Sequence, residues 1–248
     1  MQALAFFDSE KYQKPTDAHA IQIHFVPLLP GETEQSKINI GIDREIHEVA
    51  SKKSCDAIGG FFLPSLLQPK SVGYIELATK NPRDHPIIEP RYLSHPDDVQ
   101  VLVEAWKFCD RVAATKSLSC ILQTPLHDDS VKLPPGSDEY LIYKIKRDVI
   151  TVSFEDDDHQ PEKLTSRNFI IVIIINKIQI YHPTGTCKMG PDSDPMSVLD
   201  PKTLGVRKVT NLRIADCSAF PDIPAANTNL PAIMIGERCA DMIAFGGL

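Results

Sequence analysis

The fold of this chain is set in its last third, where Asn211–Ile243 has the sequence NLRIADCSAFPDIPAANTNLPAIMIGERCADMI. Residues Asn211–Asp216 predict a short strand that ends in an acid, because apolar and polar side chains alternate there. A loop that contains Pro221 and Pro224 follows. The pattern therefore predicts a strand, a loop and then a helix.

The helix begins at the triplet Asn227-Thr228-Asn229 and is predicted to run to about Ala244. Thr228 or Asn229 is the expected N-cap, and Pro231 fits the first turn because its missing N–H would lack a partner there. The N-terminus of a helix presents unpaired N–H groups and the positive end of the dipole. Taken alone, this one indicates either a plain capping role or a site for a polar or anionic ligand.

A second stretch, Tyr181–Gly190 (YHPTGTCKMG), places a histidine in a turn. Pro183 restricts the backbone of His182, and the glycines at 185 and 190 let other groups approach the backbone closely. By itself, a His-Pro-x-Gly turn favours a structural role over a catalytic one.

The first half of the chain carries strand patterns. Residues Ile21–Val26 alternate apolar and polar side chains and predict a half-buried strand, with His24 on its solvated face. Shorter alternations at Ile38–Ile42 and Val72–Ala78 predict two further strands.

A helix is predicted over Ser94–Lys116, with Ser94 as the N-cap. Asp97 and Asp98 would lie in its first turn, where negative charge meets the positive end of the dipole. Apolar residues recur at helical spacing after them, and we expect Trp106 to be part of the core.

Composition excludes several classes of protein. The formal charge is −7 with no cluster of Lys and Arg, which argues against nucleic-acid binding. No apolar run reaches the ~20 residues of a membrane helix, and Met1–Phe7 lacks the basic flank of a signal peptide. The six cysteines show no CxxC spacing, so we expect no metal site, no readable disulfide framework and mostly buried thiols.

Together and in this order, the two C-terminal stretches resemble the signature of the glucose–methanol–choline (GMC) oxidoreductases, and the arthropod glucose-dehydrogenase-like branch in particular. Upstream, LLQPKSVGYIELATKNPRDHPIIEPRYLSHPDDVQVLVEAWKF (66–108) resembles the substrate domain of the same family. The resemblance covers roughly residues 60–151 and 180–244, and residues 1–59 more loosely. Three ordered blocks are far more specific than a single short motif.

The resemblance implies an FAD-dependent oxidoreductase that acts on the CH–OH group of a small alcohol or sugar. His182 matches the histidine of the family and would be the base, since an imidazole titrates near neutral pH. Asn227 matches the family's His-or-Asn partner, and its amide would donate to the developing alkoxide. The electron acceptor would be oxygen or a quinone-like carrier.

The resemblance also assigns cofactor-binding residues. Ala215, Asp216 and Cys217 would lie beside the ribityl and phosphate region of FAD. Thr228 and Asn229 would lie at the pyrimidine edge, where the positive end of the last helix meets the negative charge of the reduced flavin. Without the surrounding motif, Asp216 would be read as a turn-forming acid after a strand.

Two features depart from the family pattern. The GxGxxG fingerprint that cradles the pyrophosphate of FAD is absent. In addition, residues 152–179 separate Thr151 from the Ile180–His182 segment, which directly follows the preceding helix in the family. We interpret 152–179 as a retained intron, because Val152-Ser153 can be encoded by a splice donor and Gln179 by an acceptor. An acidic metal loop and a true strand insertion are the alternatives.

These observations predict an α+β fold. Residues 1–151 would form a substrate domain, with an antiparallel sheet and flanking helices, and 180–248 the active-site segment and the strand–helix piece of an incomplete FAD-binding domain. We expect a truncated fragment that is inactive alone. A decayed fragment and a flavin-free binding protein are the alternatives. This chain by itself indicates no localisation, and the resemblance is compatible with secretion of a full-length member of this branch.

Overall fold

The computed structural model describes residues 3–9, 19–28, 59–119, 131–147, 171–174 and 182–245. The strands are β1 (Ala3–Phe7), β2 (Ile21–Leu28), β3 (Gly59–Leu66), β4 (Tyr74–Glu76), β5 (Ile87–Glu89) and β6 (Ile171–Ile174). The helices are α1 (Pro96–Ala113), α2 (Lys116–Ser119), α3 (Asp138–Arg147) and α4 (Asn229–Ala244). The chain divides into a first unit, Met1–Ser71 with Tyr92–Ile178, and a second unit, Val72–Arg91 with Gln179–Leu248.

The first unit contains a four-stranded sheet in the order β1-β2-β3-β6. The three N-terminal strands are antiparallel, and β6 pairs with β3 in parallel. One face of the sheet packs on α1 and α3 through a shared apolar core, to which the strands contribute Ile21, Ile23, Phe62 and Leu66. The sheet and its helices confirm the predicted α+β class and the strand expected at Ile21–Val26.

Helix α1 is amphipathic, as its spacing predicts. Val99, Leu102, Trp106 and Cys109 are buried against the sheet and α3. Its N-cap is wrong in the prediction: His95, not Ser94, is the capping residue, and its Nδ1 accepts from the Asp97 N–H at 3.2 Å. The reason is Pro96, which takes the first helical position and holds the residue before it in an extended conformation.

The carboxylate of Asp98 is fully buried in the first turn of α1. It accepts the backbone N–H groups of Lys70 and Ser71, each at 2.9 Å, and the Ser71 hydroxyl at 2.5 Å. Asp97, one residue earlier, is half-buried, and its carboxylate pairs with the Lys70 ammonium at 2.7 Å. Asp98 therefore ties the segment after β3 to the start of α1.

The second unit contains the β4–β5 hairpin and helix α4. Tyr74 of β4 pairs with Glu89 of β5, so the strand predicted over Val72–Ala78 is confirmed in a shorter form. Gly73 lies against the hairpin backbone: a Cβ there would be 2.2 Å from the Glu89 carbonyl oxygen. Only glycine allows this approach.

Helix α4 buries Ile235, Cys239 and Met242 in a second apolar core with Leu199 and Leu204. The predicted end at Ala244 is confirmed, and Thr228 is the N-cap.

The strand predicted at Asn211–Asp216 is reduced to a single bridge, Gly205 with Arg213. Val206 donates to the Leu212 carbonyl at 2.9 Å, and Ile214 donates to that of Leu204 at 3.2 Å. The backbone of Asn211 is left-handed, with φ 60°, so regular pairing cannot extend past it. The strand predicted at Ile38–Ile42 and most of the segment 152–179 lie outside the described residues; of the latter, only β6 is described. The division into 1–151, 152–179 and 180–248 stays a prediction.

Cysteine placement follows the sequence expectation in part. Cys109 and Cys239 are buried, Cys187 and Cys217 are half-buried, and all four are free thiols. Among the described helices, none combines the length and the apolar character that crossing a bilayer requires.

Candidate active site

The segment that follows His182 is held against a short 3-10 turn, Cys217–Ala219. The N–H groups of Gly185, Cys187 and Met189 donate to the three successive carbonyls of that turn, at 3.1, 2.9 and 2.9 Å. Alternate N–H groups of an extended chain thus reach consecutive carbonyls of the turn. This pairing joins the two C-terminal stretches that the sequence singled out.

Gly185 meets a conformational requirement in this pairing. Its φ is +81°, and a Cβ there would lie 3.3 Å from the Phe220 carbonyl oxygen. The left-handed backbone turns the chain after the His182–Pro183 segment. The Gly185 N–H can therefore donate to the Cys217 carbonyl. A residue with a side chain would be strained at this position.

Asp216 caps the 3-10 turn. Its Oδ1 accepts the Ser218 N–H at 2.8 Å and the Ser218 hydroxyl at 2.5 Å. Ala215 and Cys217 on either side pack against the core of the second unit, while Asp216 is exposed. The turn-forming role that the sequence offered for Asp216 is therefore present, and it leaves the second carboxylate oxygen available to a ligand.

The N-terminus of α4 is open. The Thr228 side chain is 7% exposed but makes no capping hydrogen bond, and the Thr228 backbone is helical. The Thr228 carbonyl accepts the Ala232 N–H at 2.9 Å, which starts the helix. Asn229 occupies the first helical position and is exposed. Neither the cap side chain nor Pro231, which has no N–H, saturates this end of the helix.

His182 is half-buried at the start of the paired segment. Desolvation by burial lowers the pKa of its imidazole from the ordinary value of 6.5. The side chain is therefore neutral at neutral pH and able to accept a proton.

Cys217 contacts both of the segments that carry the predicted site residues. The Cys217 carbonyl accepts the Gly185 N–H, three residues after His182. The Cys217 thiol lies 4.0 Å from the carbonyl oxygen of Thr228, which directly follows Asn227. One residue thus contacts both the segment that carries His182 and the helix start that carries Asn227 and Asn229.

Sequence reasoning missed a group of charged residues that closes the loop after this segment. Arg207 donates to the Gly190 carbonyl at 2.7 Å, to the Ser197 hydroxyl at 3.0 Å, and to Asp192. Lys188 pairs with Asp194 at 2.8 Å, and this hydrogen bond lowers the pKa of the Asp194 carboxyl. No short spacing in the sequence signals these contacts, because each depends on how the loop folds back.

Comparisons with known proteins identify the family of the chain. A family model described as GMC oxidoreductase, for its C-terminal domain, matches residues 69–236. The chain belongs to the GMC oxidoreductases. The alcohol dehydrogenase [acceptor] of Pseudomonas putida is 31% identical over 228 residues, which are 92% of this chain and 32% of that protein. The mitochondrial choline dehydrogenase of Homo sapiens is 35% identical over 173 residues, 70% of this chain and 24% of the relative.

Solved structures of similar fold cover nearly three quarters of the chain. A fungal aryl-alcohol oxidase matches with a TM-score of 0.51 and 25% identity over 73% of this chain and 24% of its own. An FAD-dependent oxidoreductase from Chaetomium thermophilum matches with a TM-score of 0.52 and 23% identity over 72% of this chain and 25% of its own. The chain therefore spans between about a quarter and a third of the length of these proteins.

Proposed function

We propose that this chain supplies the C-terminal part of an FAD-dependent oxidoreductase that oxidises the CH–OH group of a small alcohol or sugar. The observation that carries the proposal is the double contact of Cys217. It joins the half-buried His182 segment to the open N-terminus of α4 within one unit. An enzyme of this class needs a base and a polar donor near one cofactor edge, and these two segments carry both.

His182 is the proposed base. Its lowered pKa keeps the imidazole neutral, so one ring nitrogen can accept the proton of the substrate hydroxyl as the C–H bond breaks. Asn227 is the proposed donor. Its amide cannot accept that proton, but its N–H groups can stabilise the negative charge that develops on the substrate oxygen. The pair therefore provides one base and one hydrogen-bond donor.

The residues fit the implied FAD. Thr228 and Asn229 would hold its pyrimidine edge, because the side chain of the buried residue Thr228 makes no cap hydrogen bond and the α4 N-terminus offers positive potential to an electron-rich ring. Ala215, Asp216 and Cys217 would line its ribityl and phosphate region. When bound, the flavin would supply the acceptor for the hydride that leaves the substrate carbon.

We further infer that these 248 residues do not turn over alcohol without a flavin-binding part. The sequence has no GxGxxG fingerprint to cradle a pyrophosphate, and the relatives are three to four times as long as the segment they share with this chain. The names of the relatives favour an alcohol or choline-type substrate. The arthropod glucose-dehydrogenase-like branch remains a proposal from the sequence signature.

The first test is the full-length transcript of this locus. An upstream exon that encodes GxGxxG, with 152–179 spliced out, would support a flavoenzyme. A transcript that starts at Met1 and keeps 152–179 would instead mean that the proposed activity belongs to the ancestor of this chain and not to the chain itself.

The second test uses that full-length protein loaded with FAD. Anaerobic mixing with an alcohol substrate gives the rate at which the flavin absorbance bleaches. We expect His182→Ala to slow the rate by about 10²–10⁴-fold, the usual contribution of a positioned base. Asn227→Ala is expected to slow it by about 10²-fold, as for the loss of one oxyanion donor. A His182→Ala rate within threefold of wild type would refute the assignment of the base.

A further inference from the structure

Helix α4 uses a narrow stripe of its surface to pack in the second unit. Ile235, Cys239 and Met242 are its buried residues, and they lie in the apolar core of that unit. Successive residues of a helix are turned by about 100°, so these three share a stripe roughly 60° wide. Most of the circumference of α4 therefore lies outside the core.

The side of α4 that faces away from this stripe carries large apolar residues at both ends. Leu230, Ile233 and Met234 lie at the N-terminal end and are 73%, 52% and 66% exposed. Phe245, the C-cap residue, is 78% exposed at the other end. Leu230 and Phe245 are turned by only about 60° from each other, so both ends belong to one face, the outer face of α4. An exposed apolar patch of this kind marks an interaction surface.

Between its apolar ends, the outer face carries opposite charges. Glu237 and Arg238 lie near the middle of the helix, and both are exposed. A second copy of α4 can be placed antiparallel to the first, with a two-fold axis between these two residues. Each Glu237 then faces Arg238 of the other copy, and each Leu230 faces the Phe245 there. Asp241, one turn after Arg238 on the same helix, gives each Arg238 a second carboxylate nearby. The outer face is thus complementary to itself.

We propose that the outer face of α4 is a dimer interface, at which two copies of this chain pair with their α4 helices antiparallel. The occupant is a second copy because both ends of the face are apolar and its middle carries both charges, so the same surface on another molecule matches it. Antiparallel pairing also brings the positive end of each helix to the negative end of the other. The 16 residues of α4 span about 24 Å. This is short for an interface, so we expect a reversible dimer with a micromolar dissociation constant. Dimerisation requires neither flavin nor the proposed function.

The first experiment is sedimentation equilibrium of the 248-residue chain, from low to high micromolar concentration, with charge variants of the outer face. Glu237→Arg and Arg238→Glu each place like charges opposite one another, twice in every dimer. We expect either change to weaken the dimer about tenfold. The double variant Glu237→Arg/Arg238→Glu restores opposite charges across the axis and should return to within about threefold of wild type. Non-specific aggregation has no such reason to recover.

The second experiment removes apolar side chains from two sides of the same helix. Met234 and Ile243 are similarly exposed, at 66% and 64%, but they are turned by about 180° from each other. Alanine favours a helix at least as well as either residue, so both variants should fold. Met234→Ala should weaken the dimer about tenfold, because each dimer loses two buried side chains. Ile243→Ala lies off the outer face and is the matched control, with a change of no more than about twofold.

Four results would each overturn the proposal. They are a chain that stays monomeric at every concentration, assembly that continues past the dimer, a double charge variant as weak as the single ones, and equal weakening by Met234→Ala and Ile243→Ala. The first would assign the outer face to another part of a longer protein. The second would exclude a closed two-fold arrangement, and the last two would place the contact elsewhere on the molecule.

Discussion

Replacing Gly185 by alanine tests the backbone geometry on which the candidate site depends. The left-handed conformation at φ +81° costs a non-glycine residue roughly 1–2 kcal/mol. The new Cβ would also lie 3.3 Å from the Phe220 carbonyl oxygen, so one of the two must shift slightly. We expect Gly185→Ala to lower the free energy of unfolding of the second unit by about 2 kcal/mol.

Gly236→Ala provides the matched control within the same unit. Gly236 lies inside α4, where an added Cβ meets no atom within 4 Å. Alanine should therefore stabilise the helix by about 0.5–1 kcal/mol. The two glycine-to-alanine changes are thus predicted to have opposite signs.

The measurement is native-state hydrogen exchange of the α4 amides in increasing urea, because the only tryptophan, Trp106, reports on the first unit alone. Gly185→Ala should reduce the protection of these amides, and Gly236→Ala should increase it. If Gly185→Ala is as stable as wild type, or if both variants lose the same stability, the argument from the left-handed backbone is wrong.

Three further predictions follow from buried or polar groups. Asp98→Ala should lower the free energy of unfolding of the first unit by about 3 kcal/mol, because three donors lose a buried carboxylate. Trp106 fluorescence in urea measures this loss of stability. An equal loss in Asp97→Ala would contradict the prediction. His182 should titrate below pH 6.5 in a ¹³C-edited NMR series, since burial lowers its pKa. The unfolded histidine binds the proton more readily, so stability should be full above about pH 6.5 and fall as the pH drops below it; a titration midpoint at or above 6.5 would show that burial does not act this way. Burial raises the pKa of Cys109 to about 12. At pH 8, iodoacetamide should therefore alkylate the half-buried Cys187 and Cys217 much faster than Cys109. Equal alkylation rates of the three thiols, measured by mass spectrometry, would contradict the burial of Cys109.

The parts of the fold that the sequence predicts well are those governed by local periodicity. The alternation at Ile21–Val26 and the helical spacing after Asp98 each record which side of an element is buried. In the structure, the apolar side chains of this strand and of helix α1 pack together in one core. The N-cap of α4 is predictable for the same reason, because Thr228 and Pro231 act within one helical turn.

The sequence predictions are wrong where a distant or competing group determines the local structure. Ser94 is a good cap in isolation, but Pro96 shifts the helix start so that His95 takes the position. Asn211–Asp216 has a strand pattern, but a strand requires a partner, and here only one bridge forms. The contacts of Arg207 depend on the folding of an irregular loop, for which the sequence carries no period.

The candidate site was predictable only as a set of residues. The motif order identified the family and named His182 and Asn227. It could not show that Cys217 contacts both segments, since that depends on a 3-10 turn whose carbonyls meet the N–H groups of residues 185–189.

If the segment 152–179 is a retained intron, as the sequence predicts, the parallel pairing of β6 with β3 exists only in the unspliced product. β6 lies inside the segment 152–179 and forms its ladder with residues more than 100 positions earlier. Such a contact closes a long loop and is expected to form late in folding. A spliced product without 152–179 would leave the outer N–H and C=O groups of β3 without this partner, and an uncovered edge promotes association with other strands. If both products exist, the shorter one would therefore expose an edge of β3 and have the greater tendency to aggregate.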